Sequence, residues 1–153
     1  MKIAIGCDEA AYSFKEVIKN YLVSKGHEVE DFGVHDVNPV LYPDIAYAVS
    51  KSIVESKNER GVLICGTGIG MNITANKVPG IRSAVCHDPF STERARKSNN
   101  AQVMCMGARV IASELAKTLI DIWLDSEFTG GASTEKVEKI GYYEQKEMKK
   151  EAI

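Results

Sequence analysis

Residues 61–80 read GVLICGTGIGMNITANKVPG, a cysteine at the head of three glycines at alternate positions: Cys65, then Gly66, Gly68 and Gly70, with Thr67 and Ile69 between them. Glycines let a backbone turn sharply and approach a ligand with no Cβ in the way. A helix opening near Ile69 would aim its unpaired N–H groups and the positive end of its dipole at the same place. A phosphate, or an oxyanion forming during a reaction, suits such a loop. Thiolates are stabilised beside helix N-termini, so Cys65 could serve there as a base or a nucleophile. The other reading is a small apolar residue that finishes a buried strand, and the residues alone leave both open.

Two better-known glycine loops do not fit. A dinucleotide fingerprint needs a third glycine three residues after the second and an acidic residue about 20 residues on, but Met71 occupies position 71 and the next apolar run ends in Cys86 and His87. A phosphate loop of the G-K-[ST] type is absent. Cys7, Cys65, Cys86 and Cys105 form no C-x-x-C pair and are too few for a secreted disulfide scaffold, so reduced thiols and no metal are expected.

The elements that must carry these residues alternate in period. Residues 2–7 read as a strand, and 12–25 place Phe14, Val17, Ile18, Tyr21 and Leu22 at helical spacing before Gly26. HEVEDFG suits a second strand, followed by a helix entered at Pro43. GVLIC is a continuous apolar run, as expected of a parallel strand buried on both faces. A short helix from Ile69, strands in IRSAVC and AQVMCMG, and helices over 91–98 and 112–125 repeat the theme. The result is an α/β chain with five parallel strands covered on both sides. Asp8, Gly66, His87 and Arg109 each follow a strand end, the edge where open α/β sheets bind ligands. Residues 134–150 carry Val137 and Ile140 among charges, a helix expected to pack loosely or on another subunit.

A length of 153 residues fits one domain over 1–153, and 44% apolar with 26% charged residues is ordinary for a globular protein. The net charge of −2 favours neither nucleic acid nor a membrane surface. No apolar run approaches the roughly 20 residues of a membrane span, and Asp8 and Glu9 interrupt the start before a signal sequence could form, so a cytoplasmic protein is expected.

ICGTGIGMNITANKVPGIR closely resembles the signature of the ribose-5-phosphate isomerase B and galactose-6-phosphate isomerase family. MKIAIGCDEAAYSFK, YPDIA, GARVI and ELAKTLIDIWL extend the resemblance over nearly the whole chain. It implies a single-domain, three-layer α/β/α Rossmann-like fold and reversible isomerisation of a phosphorylated aldose and ketose through a cis-enediolate, without metal or cofactor. On this chain it makes Cys65 the base, supported by Thr67, with the oxyanion held by the amides of Gly66, Gly68, Ile69 and Gly70. Asp8 and Asn99 match residues that bind the sugar, Tyr42 lies at the site wall, and Arg109 matches a phosphate-binding arginine. The family shares its active site between the subunits of a dimer, so a homodimer or dimer of dimers is implied.

Three positions depart from that pattern. Glu9 stands where a histidine follows Asp8, Ser98 replaces a ring-opening histidine before Asn99, and GGASTEKV replaces an arginine-bearing segment, leaving Lys136 as its basic residue. A tetrose 4-phosphate has no free hydroxyl with which to close a five-membered ring, so it needs no ring-opening acid and Ser98 would lose little. The run CHDPFSTERARKSNNAQVMCMGARVI also resembles the branch of the family linked to erythrose and erythrulose 4-phosphates. His87 offers a replacement for the missing histidine, or else caps a helix. Ribose 5-phosphate is the family default, a hexose 6-phosphate is a third choice, and a sugar-phosphate sensor without activity is the rival from another class.

Overall fold

The computed structural model describes residues 1–149. Five parallel strands run in the order β2-β1-β3-β5-β4, with β1 at Lys2–Cys7, β2 at Glu28–Asp31, β3 at Arg60–Cys65, β4 at Ser83–Val85 and β5 at Val103–Gly107. Between and after them lie α1 (Tyr12–Ser24), α2 (Tyr42–Val54), α3 (Ile69–Ala75), α4 (Pro89–Lys97), α5 (Ser113–Asp125) and α6 (Thr134–Met148). The strands and helices read from the periodicity are all present, shifted at their ends by a residue or two; Lys150, the last residue of the expected C-terminal helix, lies outside the described residues.

Strand alternation sorts the core into two layers. Ile3, Ile5, Val62, Ile64, Met104 and Met106 point to one face, where Ile18 and Leu22 of α1 and Leu119 and Trp123 of α5 cover them. Leu63, Cys65, Val103 and Cys105 point to the other, under Val49 of α2 and Met71 and Ala75 of α3. Each large side chain so enclosed contributes roughly 1.5–3 kcal/mol relative to exposure. Every residue of β3 is buried, which accounts for the unbroken apolar run of GVLIC.

The ends of the sheet are less covered than the alternation implied. β4 is an edge strand whose three residues are only half-buried. α6 contributes no buried residue and leaves Ile140, Tyr142, Tyr143 and Met148 exposed. Among the described residues no helix is long and apolar enough to cross a membrane.

Candidate functional site

From β1 the chain moves outward to β2, and from β3 onward it fills the opposite side of the sheet. The carboxyl ends of β1 and β3 therefore flank a topological switch point, the crevice where α/β sheets take ligands. The Asp8 N–H donates to the Ile64 carbonyl at 3.2 Å, which sets Asp8 beside the end of β3. Its Oδ1 accepts from the Ala11 N–H at 3.1 Å and caps the single turn Glu9–Ala11 that leads into α1. An open hollow of about 490 Å³ lies here, lined by Asp8, Cys65, Thr67, Ile69, Tyr42 and Arg109 together with Gly66, Gly70 and Ile73.

The loop after β3 is built around the cysteine. Gly68, at φ 79°, caps α3 and turns its N–H onto Cys65 Sγ at 3.0 Å. The Ile69 N–H donates to Thr67 Oγ1 at 3.2 Å. Of the amides at the start of α3, which have no intrahelical acceptor, that of Gly70 remains at the hollow for a ligand oxygen, whereas Met71 is fully buried. Gly70 has a second role: a Cβ there would lie 2.5 Å from Cζ and Oη of Tyr42, so only glycine lets the tyrosine ring close over the loop.

Arg109 arrives from the turn after β5. Its N–H donates to the Gly66 carbonyl at 3.0 Å and the Ala108 N–H to the Cys65 carbonyl at 2.8 Å. The guanidinium lies along Gly66, 3.5 Å from where a Cβ would stand, and among the described residues it makes no ion pair. Asp8 faces it across the hollow with a carboxyl raised above its ordinary value, first by burial and then by neighbouring Glu9. Burial pushes the Cys7 thiol up to about 12 and that of Cys86 to about 11, and raises Cys105 further still; these three are neutral core residues.

The other residues singled out by sequence lie apart from the hollow. A Glu9 carboxylate oxygen accepts from the Val40 N–H at 3.3 Å, so the residue turns to the backbone of the segment before α2. His87 does not line the hollow; its Nε2 accepts from the Gly107 N–H at 2.8 Å. Ser98 closes α4, and the Asn99 carbonyl accepts from Arg82 Nε at 3.2 Å, just before β4 begins. Both therefore sit at the amino edge of the sheet, with the length of β5 between them and Cys65, roughly 15 Å at ~3.3 Å per residue. There Asn99, Arg82, Arg94 and Ile140 line a second hollow of about 450 Å³. Lys136 is exposed on the first turn of α6. Ile73, one helical turn beyond Ile69 and Gly70, also lines the hollow, and its spacing on α3 is the sequence signal that points to it. Among the described residues no group of three or more His, Cys, Asp or Glu could hold a metal ion.

The sequence model of the Ribose/Galactose Isomerase family matches residues 3–140. The chain is 57% identical over 149 residues to the D-erythrulose-4-phosphate isomerase of Pectobacterium atrosepticum, covering 96% of this chain and 97% of that protein. It is 53% identical over 146 residues to the Ribose-5-P isomerase B of Listeria innocua, covering 95% and 99%. The structure of Clostridium thermocellum Ribose-5-Phosphate Isomerase B superimposes with a TM-score of 0.94 at 43% identity, covering 95% of this chain and 99% of that one.

Proposed function

The chain belongs to the Ribose/Galactose Isomerase family, and from that premise we propose that it interconverts a tetrose 4-phosphate and its ketose, D-erythrulose 4-phosphate, with Cys65 as the base. The observation that carries the chemistry is that Cys65 lines an open hollow while its sulfur accepts the Gly68 N–H at 3.0 Å. Cys65 takes the proton from C2 of the aldose and returns it to C1, while the hydroxyl proton on O2 passes to O1 across the cis-enediolate, leaving the carbonyl at C2. Between the two transfers the enediolate oxygens carry negative charge, and amides fixed in place lower its energy because they need no rearrangement as the charge appears. The amide of Gly70, at the hollow, fills that role. Gly68 supports negative charge on sulfur, and Thr67 orders the turn through Ile69. Asp8 binds sugar hydroxyls, and Arg109, which makes no ion pair among the described residues, receives the phosphate, for which a planar guanidinium is well shaped.

The four-carbon substrate is favoured by Ser98 at the place of the ring-opening histidine and by the 57% identical Pectobacterium relative. Ribose 5-phosphate is the second reading, favoured by the 53% identical Listeria relative. The position of Asn99 at the far edge of the sheet supports a site completed by a second copy, whose Ser98, Asn99 and Lys136 would reach the open hollow. The uncovered face of α6 supports the same arrangement.

The test is a panel of four-, five- and six-carbon aldose phosphates assayed for ketose formation and for uptake of solvent deuterium at C1 or C2. The expected result is fastest turnover on erythrose 4-phosphate, with both signals abolished in Cys65→Ala. Faster turnover of ribose 5-phosphate would overturn the tetrose assignment. Exchange that survives Cys65→Ala would overturn the role of the cysteine, and binding without any exchange would leave a sensor.

A further inference from the structure

The ladder between β4 and β5 ends with Val85 opposite Cys105, and the Cys86 N–H donates to the Cys105 carbonyl at 2.9 Å. In an unbroken parallel ladder the next donor of β5, the Gly107 N–H, would go to the carbonyl of Cys86. It goes instead to Nε2 of His87 at 2.8 Å, so a side chain takes over where the strand stops.

The bond lies at the root of the turn that makes the site. Gly107 pairs with Cys65 across the β3–β5 ladder. Its carbonyl accepts from Val110 and Ile111 at 3.0 and 3.1 Å, while the next two amides grip the carbonyls of Cys65 and Gly66. There is no slack between this turn and the loop: a Cβ on Gly107 would stand 2.7 Å from Thr67 Cα and 2.8 Å from the Gly66 carbonyl oxygen. A shift of Gly107 must move both Arg109 and the glycine loop.

We propose that His87 is a positioning residue whose neutral imidazole, by accepting the Gly107 N–H, holds Arg109 and the Cys65 loop at the spacing that an anionic sugar phosphate requires. This rests on the isomerase reading above. It also gives His87 a role other than replacing the missing acid: the nitrogen that faces Gly107 is an acceptor, which fixes the tautomer with its proton on Nδ1.

An imidazolium has no lone pair to offer, so protonation sets two N–H groups against each other and opens the turn. Burial lowers the proton affinity of His87, and Asp88, next in the chain, opposes this more weakly. Cys86 beside it is a neutral thiol, and the positive charge of Arg109 on the facing turn gives an imidazolium no help. The folded value lies below the ordinary ~6.5. The latch is therefore complete above that pH and is lost as the pH falls through the lower folded value.

The experiment pairs NMR of the whole protein with kinetics. In the wild type, the Nε2 resonance of His87 and the amide resonance of Gly107 should titrate together, with a midpoint below that of a free histidine. His87→Leu, which offers no acceptor, should raise KM for the preferred aldose phosphate about tenfold, the scale of an unsatisfied buried donor, with a smaller fall in kcat. His87→Gln, whose side-chain carbonyl can reach the same N–H, should restore KM and lose the acid limb of the wild-type KM profile. A Gly107 amide indifferent to the His87 titration, or an unaltered KM in His87→Leu, would overturn the proposal. The NMR titration decides the latch even if His87→Leu does not fold. A wild type that isomerises no aldose phosphate would sink the isomerase reading while leaving the NMR result to stand or fall alone.

Discussion

Cys65 differs from the other three cysteines in what meets its sulfur. Cys7 at the end of β1, Cys86 just after β4 and Cys105 in the middle of β5 are fully enclosed, whereas Cys65 retains 6% exposure, lines the hollow and accepts an amide hydrogen bond. Its setting depends on residues with no side chain at all. At Gly107 an alanine Cβ would meet the backbone of Thr67 and Gly66 at under 3 Å, and backbone cannot swing aside as a flexible side-chain tip can. Gly107→Ala should therefore lower kcat/KM at least tenfold by displacing the loop and Arg109, a loss of about 1.4 kcal/mol in transition-state binding. The measurement is steady-state kinetics beside a thermal melt. Wild-type kinetics in a folded Gly107→Ala would refute the close approach as a functional constraint.

At the scale of elements, α1 is fastened to the strand ends by a charged cluster that no apolar pattern announces. Lys15, with no exposed surface, donates to both Asp31 oxygens at 2.8 Å and to the Val34 carbonyl at 2.7 Å, and Lys19 also reaches Asp31 at 2.8 Å. The segment it holds pairs with Cys7 in both directions, Cys7 N–H to Gly33 at 2.7 Å and Val34 N–H to Cys7 at 3.0 Å, immediately before Asp8. Removing one partner of a buried pair leaves the other uncompensated, so Lys15→Met should lower unfolding stability by about 3 kcal/mol, read as a lower urea midpoint at an unchanged slope. Burial alone would raise the Asp31 carboxyl, but the bonds from Lys15 and Lys19 outweigh it and hold the value below the ordinary 3.8. Its contribution is thus complete above the unfolded value and is lost as the pH falls through the folded one; acid unfolding of Asp31→Asn should lack that component. Neither this cluster nor the bond from Gly107 to His87 was legible in the sequence, because the partners are 16 and 20 residues apart and polar contacts leave no periodicity. The strands, the helices and the glycine loop were legible, since burial on two faces writes unbroken apolar runs and the turn requires its glycines. The placement of Asn99 could have been read as well. Residues that follow a strand lie at the carboxyl edge of a parallel sheet and those just before one lie at the amino edge, so Asn99, four residues ahead of β5, had to stand away from Cys65.

For the molecule as a whole, that opposition of edges makes a quantitative prediction. On the proposed reading, a site that needs Cys65 from one edge and Asn99 from the other would be completed within a two-fold dimer, each copy lending its amino edge to its partner's carboxyl edge. The half-covered strand β4 and the exposed Ile140, Tyr142 and Tyr143 of α6 provide apolar surface for such a contact. Cys65→Ala and Asn99→Ala should each be nearly inactive as pure dimers. Allowed to exchange subunits, half of the dimers become hybrids. One site of each hybrid joins the mutated Cys65 to the mutated Asn99, and the other joins two intact halves. Activity should therefore recover to about a quarter of the wild-type value, a figure fixed by symmetry alone. The control is Cys65→Ala mixed with Gly107→Ala: both lesions lie in the same half-site, so no hybrid contains an intact site and activity should stay at that of Gly107→Ala averaged with the inactive partner. No recovery in the test pair after exchange has been verified by mass spectrometry would place the whole site within a single chain, and recovery in the control would place Cys65 and Gly107 in different half-sites.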